Sequence, residues 1–342
     1  MPALAVAGAL RAEGAEVCFV GGERAEAELV PAAGYELRAI HVAGLDRRNP
    51  LRAARAALLA LRAVGRCVRL LRELRADAVM GGGGYVAGPV GLAAVLLRIP
   101  LVLTEADSHL GVANRLLAPF ARRVCLAFPV TGREGARYRV TGRPVPAPAT
   151  DRAAARALFG LGPDDTVVLV FGGSLGARSI NEAAVRAFAD APFRVLHAAG
   201  ERDFASLDAP GPHYDLRPYI HEFGAALLAA DLVVARAGGG IFEVAAAGRP
   251  AILIPYPHAT ADHQTANARW MVDGGAAVVL LDAELTAPRL AHEVGTLLHD
   301  PGRLAAMSHA SAALARPDAA GEIAGELLDA VARRRRATRR QK

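Results

Sequence analysis

At 342 residues, with 53% hydrophobic and 22% charged side chains, the chain is too long for one ordinary core and too apolar for a disordered protein. Its formal charge of +6 and pI of about 9.7 suit nucleic acid, an anionic membrane or a phosphorylated substrate, and charge alone does not choose among them. Cys18, Cys67 and Cys125 are odd in number and form no CxxC pair, which argues against a disulfide framework or a zinc site and fits a reducing cytoplasm. The opening PALAVAGALRAEG lacks the basic start and cleavage site of a secretory signal. The longest uncharged apolar run, Val86 to Leu97, is broken by glycine and proline and falls short of the roughly 20 residues that span a bilayer, so membrane contact is expected to be peripheral.

Residues 2 to 13 read as a helix with no strand ahead of it, whereas a doubly wound sheet opens with a strand and a glycine-rich turn. An unfilled first sheet position is expected to weaken the N-terminal domain. Short apolar runs then alternate with amphipathic stretches, the pattern of parallel βαβ units. Strands are expected at Glu16–Val20, Tyr35–Ile40, Ala78–Gly81, Leu101–Thr104 and Arg123–Ala127. A second series follows at Val167–Phe171, Phe193–Ala198, Tyr214–Pro218, Leu232–Ala235, Ala251–Pro255 and Ala277–Leu280. Residues 50 to 75 form a basic amphipathic helix, with Leu61, Val64, Val68 and Leu71 as its apolar stripe and Arg55, Arg62, Arg66 and Arg69 on an adjacent face. That face either meets anionic lipid or is simply solvated. VTGRPVPAPATD, residues 140 to 151, is a linker by composition. The fold class is therefore α/β with two Rossmann-like domains facing a cleft: 1–145, then 146–325, then a basic, disordered tail at 326–342. No aromatic residues interleave the basic tail, so no nucleic-acid partner is expected.

Three glycine clusters fall at strand-to-helix junctions: MGGGGYVAGP at 80–89, FGGSLGARSIN at 171–181 and RAGGGIFE at 236–243. Glycine there admits positive φ and brings backbone N–H groups close to a ligand, and the following helix start favours an anion. Such loops cradle a diphosphate or are merely tight turns. The chain has no GxxxxGK[ST], no GxGxxG opening a ribose-binding unit, no HExxH and no metal-ligand cluster, so no metal and no tightly bound cofactor is expected. Glu243 lies in a first helical turn, where a carboxylate either complements the helix dipole or accepts the two hydroxyls of a ribose. Gln264 and Asn267, spaced i and i+3 beside Asp262 and His263, would share a face suited to a sugar.

Together PALAVAGAL, GGYVAGP, TEADSHLGVANRLLA, GGSLGARSIN, RAGGG with Glu243, AAAGRPAILIPYPHATADHQTANA and ARPDA resemble the MurG family of peptidoglycan N-acetylglucosaminyltransferases over residues 2 to about 325. The resemblance implies a fold of the GT-B type and a peripheral enzyme on the cytoplasmic face of the plasma membrane. It implies transfer of N-acetylglucosamine, with inversion, from UDP-N-acetylglucosamine to the C4 hydroxyl of an undecaprenyl-linked muramoyl-pentapeptide. Carried onto this sequence, Ser174 would contact the diphosphate, Asn181 would line its pocket, the Ile220 backbone would meet the uracil and Glu243 would hold the ribose. Gly238, Gly239, Gly240, Ile241 and Phe242, with His263, Gln264 and Asn267, would complete the donor site, and Gly172, Gly173, Arg236, Glu105 and Arg143 are further candidates. The family's first strand and glycine loop, with the histidine of that loop, have no counterpart ahead of Pro2, so no catalytic base is assigned. Asp107 and His109 could substitute as proton acceptors. Another lipid acceptor, or a UDP-sugar-binding protein without activity, are the alternatives.

Overall fold

The computed structural model describes residues 2–22, 25–40, 50–173, 175–259 and 262–340. Every strand pairing is parallel, as strands separated by helical crossovers require. The chain forms two units: Met1–Pro144 together with Asp318–Lys342, and Val145–Pro317.

The first unit runs α1 (Pro2–Ala12), β1 (Cys18–Gly21), α2 (Ala25–Ala32), β2 (Glu36–Ala39), α3 (Pro50–Glu73), β3 (Val79–Gly81), α4 (Gly84–Leu96), β4 (Leu101–Glu105), α5 (Val112–Leu117), β5 (Arg123–Leu126) and β6 (Tyr138–Val140). Among the described residues its strands form two sheets, β1–β2 and β3–β4–β5–β6. One face of the larger sheet packs on α3, α4 and α5 through Cys67, Leu71, Val90, Ala93 and Leu117. As the helical stripe requires, Leu71 is buried and Val64 and Val68 pack against this core, whereas Arg62, Arg66 and Arg69 are exposed. The side chains of Arg55 and Leu61 lie outside the described residues.

The second unit runs α6 (Arg152–Leu158), β7 (Val167–Phe171), α7 (Arg178–Ala187), β8 (Arg194–Ala198), α8 (Glu201–Phe204), β9 (Tyr214–Arg217), α9 (Phe223–Ala229), β10 (Leu232–Ala235), α10 (Ile241–Ala246), β11 (Ala251–Leu253), α11 (His263–Asp273), β12 (Ala277–Val279), α12 (Ala287–Leu298) and α13 (Pro301–Leu314). Its six strands lie in the order β12-β11-β10-β7-β8-β9. β7 is buried from end to end, because a central parallel strand is covered on both faces, and its VVLVF is accordingly apolar throughout. Side-chain oxygens start three helices: Asp151, Thr286 and Asp300 accept from the backbone N–H groups of Ala154, Arg289 and Arg303.

All eleven strands expected from periodicity are present, each end within two residues, and β6 is an addition too short and too polar to read. The C-terminal boundary differs more. Residues expected to belong to the second domain and to a disordered tail form one helix, α14 (Ala319–Arg340), which returns to the first unit. Ile323, Ala324, Leu327 and Ala330 of α14 pack with Val6 of α1 against Val102 and Cys125 of the sheet. The arginine run is therefore the solvated side of a packed helix, and two of its members are tied down: Arg334 donates to the carbonyls of Ala76 and Asp77, and Arg335 to the Asp77 carboxylate at 2.9 Å.

Arg123 donates to Glu326 Oε2 at 2.7 Å and Arg139 to Oε1 at 3.0 Å. Burial opposes the charge on Glu326, but these hydrogen bonds outweigh it and hold the carboxyl below the usual carboxylate range. A depressed carboxylate pKa stabilises the fold above the unfolded value, and that contribution is lost as pH falls through the folded one. Glu326→Gln should therefore lower stability by about 2 kcal/mol at pH 7. In urea unfolding the gap to the parent should narrow only as pH falls below the usual carboxylate range and through the depressed folded value.

Candidate functional site

The chain direction reverses between β7 and β10: β7 leads outward through β8 and β9, and β10 leads the other way through β11 and β12. At such a switch point the loops leaving two adjacent strands diverge and open a crevice at their carboxyl ends. The loops that leave β7 and β10 are the two glycine clusters of this unit. Gly240 sits so close to β7 that a Cβ on it would lie 3.1 Å from the Phe171 ring.

The 172–177 loop is folded by contacts only glycine allows. Gly173 and Gly176 have φ of +96° and +75°. A Cβ on Gly172 would meet Ala177 N at 2.4 Å, and one on Gly176 would meet the Ala199 carbonyl at 2.0 Å. Ser174, the expected diphosphate contact, lies outside the described residues. The loop delivers the chain into α7, a helix of ten residues whose unpaired N–H groups and positive dipole end face outward from its first turn. Asn181, expected to line the pocket, is fully buried on the inner side of α7. Its Nδ2 donates to Ala199 O at 2.8 Å, and its Oδ1 lies 3.0 Å from His197 Nε2. An amide oxygen only accepts, so His197 carries its proton on Nε2 and accepts the Tyr214 hydroxyl on Nδ1 at 2.8 Å. Asn181 thus ties the loop after β8 to α7. Beside it Asp203 is buried, and Arg202 first and Arg178 next hold its carboxyl below the usual range.

The 236–240 loop is braced from below. Arg236, a candidate ligand from sequence, is 8% exposed and its guanidinium is committed: to the carbonyls of Ile254 and Pro255, to Ser179 Oγ at 2.8 Å and to Asp282 at 2.5 Å. Asn267 is likewise buried and donates to Ala237 O at 3.1 Å. Gln264 accepts from Tyr256 N at 3.0 Å, and its Nε2 is 3.9 Å from where a Gly238 Cβ would be. Gly239 and Gly240 are half-exposed, Glu243 is half-buried in the first turn of α10, and His263 is half-buried at the start of α11. Ile241 and Ile220 are buried, and Phe242 stacks on Trp270 with ring centres 5.1 Å apart. The structure therefore gathers Gly172, Gly173, Gly238, Gly239, Gly240, Glu243 and Gln264 around the β7 and β10 ends, and turns Asn181, Arg236 and Asn267 inward as supports.

In the first unit Glu105 ends β4 and is 9% exposed. Its carboxylate accepts from the N–H groups of Ala106, Asp107 and Gly111 and from Asn114 Nδ2, at 2.8 to 3.3 Å. That pins the loop carrying Asp107 and His109, both half-buried. Glu105, Gly142 and Arg143 border a small cavity of about 30 Å³ together with Pro2. Among the described residues no cluster of three His, Cys, Asp or Glu side chains could hold a metal ion.

Two family models match: the glycosyltransferase family 28 N-terminal domain over residues 1–126 and its C-terminal domain over 167–323. A Rubrobacter xylanophilus protein named UDP-N-acetylglucosamine--N-acetylmuramyl-(pentapeptide) pyrophosphoryl-undecaprenol N-acetylglucosamine transferase is 43% identical over 331 residues, covering 95% of this chain and 98% of the relative. The chain belongs to the MurG family of glycosyltransferases. A protein of the same name from Alkalilimnicola ehrlichii is 44% identical over 341 residues, covering 96% of this chain and 94% of its own. The crystal structure of Acinetobacter baumannii MurG is 31% identical, with a TM-score of 0.79 and coverage of 96% and 95%. Both MurG family domains are α/β, and the GT-B class expected from the sequence stands.

Burial lowers the pKa of His197 to about 4, against 6.5 for the ordinary side chain. As pH falls below 6.5 the unfolded chain takes up this proton first, so the stabilisation is complete above 6.5 and declines towards pH 4. The parent should lose about 3 kcal/mol more than His197→Phe across that window, read as the difference in urea unfolding free energies. Equal pH slopes for the two proteins would refute the buried neutral ring.

Proposed function

We propose that the chain moves N-acetylglucosamine from UDP-N-acetylglucosamine to the C4 hydroxyl of an undecaprenyl-diphosphoryl N-acetylmuramoyl-pentapeptide. The acceptor oxygen attacks the anomeric carbon, the bond to the diphosphate breaks with inversion, the acceptor proton passes to a base and UDP leaves. The observation that carries this reading is the pair of glycine loops at the β7–β10 switch point, in a chain of this family.

The leaving diphosphate gains negative charge as the glycosidic bond breaks, and prearranged N–H donors stabilise that charge without a metal. Gly172, Gly173, Ser174 and the α7 start are the residues for that task, with Gly238, Gly239, Gly240, Ile241 and Phe242 presenting the second loop. Glu243 accepts the ribose hydroxyls, the Ile220 backbone meets the uracil, and Gln264 with His263 reads the sugar. Asn181, Arg236 and Asn267 act one layer down, by holding the loops at fixed height; a misplacement of about 1 Å in such a site costs on the order of a hundredfold in rate. Asp107 and His109 are the candidate acceptors for the proton.

A lipid-linked acceptor requires a membrane-facing surface, and none of the described helices is long and apolar enough to cross a bilayer. Besides Arg62, Arg66 and Arg69 on α3, the α4–α5 region offers one. Leu96, Leu116 and Phe120 are 61%, 66% and 64% exposed there, amid the exposed Arg98, Arg115 and Arg122. Apolar side chains ringed by cations suit shallow insertion into an anionic leaflet on the cytoplasmic face of the plasma membrane.

The reading is tested by transfer of labelled N-acetylglucosamine to the lipid-linked muramoyl-pentapeptide in vesicles. Glu243→Ala should raise KM for UDP-N-acetylglucosamine about tenfold, the loss of one good charge-assisted hydrogen bond. Leu116→Glu with Phe120→Glu should slow transfer in vesicles but not in detergent. Absence of transfer in every arm, with UDP-N-acetylglucosamine bound, would turn the reading to a different acceptor or to a sugar-nucleotide-binding protein.

A further inference from the structure

β8 carries a histidine in the middle of an apolar core. In RVLHA, residues 194–198, Val195, Leu196 and His197 are all buried, and His197 stands beside Val170 of β7 and Leu216 of β9. A leucine or phenylalanine would fill this place without burying a polar ring, which needs a partner for each nitrogen. Both partners are present. Tyr214, buried on the edge strand β9, donates its hydroxyl to Nδ1 at 2.8 Å, and Nε2–H donates to Asn181 Oδ1 at 3.0 Å. The far end fixes the sense of the whole line. Asn181 Nδ2 lies 2.8 Å from the Ala199 carbonyl and 3.4 Å from Asp203 Oδ2, both acceptors, so the amide has only one workable orientation. Side chains from β9, β8 and α7 thus form one ordered series of hydrogen bonds that runs from the sheet edge to the Ala199 carbonyl.

The glycine loop after β7 rests on that carbonyl. A Cβ on Gly176 would lie 2.0 Å from Ala199 O, and the Gly176 N–H closes its own turn on Gly173 O at 3.0 Å. Asn181 N bonds Ala177 O at 2.9 Å, and Asp203 holds Arg178, the first residue of α7, at 3.3 Å. Asn181 therefore grips both the floor of the loop and the helix that leaves it, and Asn181 is itself held by His197 and Tyr214. We propose that His197 and Tyr214 are positioning residues for the diphosphate of the sugar nucleotide. Through Asn181 they fix the Ala199 carbonyl against Gly176, and so the height of the 172–177 loop, without touching the ligand. The inference rests on the donor site proposed above and deepens it, because the grip on the phosphates then depends on a hydroxyl at the far edge of the sheet. Hydrogen bonds in a buried series polarise one another, so losing the outermost weakens those inside it.

The test compares UDP with uridine, which lacks the phosphates, by titration calorimetry on the full chain, beside the KM for UDP-N-acetylglucosamine. Tyr214→Phe and His197→Phe should each weaken UDP about five- to tenfold, the loss of one buried hydrogen-bond partner, with KM rising in step and uridine affinity unchanged. His197→Gln keeps a side-chain N–H for Asn181 and should bind UDP close to the parent's affinity. A ring that only filled space would give the reverse order, since phenylalanine suits a buried apolar place better than glutamine. The double variant should bind UDP no more weakly than His197→Phe alone, because both substitutions act through one series. Should His197→Phe fail to fold, Tyr214→Phe and His197→Gln carry the comparison. Three outcomes would overturn the inference: unchanged UDP affinity in Tyr214→Phe and His197→Phe, equal losses for UDP and uridine, or a weaker hold on UDP by His197→Gln than by His197→Phe. A parent chain that binds neither UDP nor uridine would overturn the donor site itself, and the inference with it.

Discussion

The second unit, where the donor site is proposed, hangs on one backbone-to-backbone approach. Gly176 and Gly200, leaving β7 and β8, pass so closely that a Cβ on Gly200 would lie 2.4 Å from Gly176 N. This approach sets the height of the 172–177 loop, the height of the loop sets where α7 begins, and the start of α7 is where backbone N–H groups are left for a phosphate. On the other side of β7, Gly240 lies against the Phe171 ring, 3.1 Å from where a Cβ on it would stand. Side chains at these three positions would open the loops and spread the donors proposed to converge on a diphosphate.

Polar side chains beneath the loops hold this arrangement in place. Asn181 bonds across to Ala199, Arg236 joins β11 to α7 and to Asp282, and Asn267 holds Ala237. Each carries a residue type that suits a sugar nucleotide, and each is spent on the protein itself. A buried amide or guanidinium with its bonds made gives rigidity, and a rigid loop binds without first being ordered.

Helical phase is the property that residue type and spacing leave open. The strand-to-helix junctions were legible because glycine clusters after apolar runs such as VVLVF and DLVVA admit few other structures. The direction of a side chain was not. Asn181 and Asn267 stand near the right loops in sequence, but helical phase turns them inward, and residue type alone does not carry that phase. The basic tail was misread for a related reason: Arg333 to Arg336 dominate the composition, while Ile323, Leu327 and Ala330, at helical spacing just before them, decide the packing.

The central claim is that the sugar nucleotide sits on the β7 and β10 loops of the second unit. Amide hydrogen exchange with and without saturating UDP-N-acetylglucosamine tests it most directly. The account predicts that protection rises at 172–178 and 238–243 and stays unchanged at the amino ends of the same strands. Protection confined to other segments of that unit, with those two loops unaffected, would contradict it.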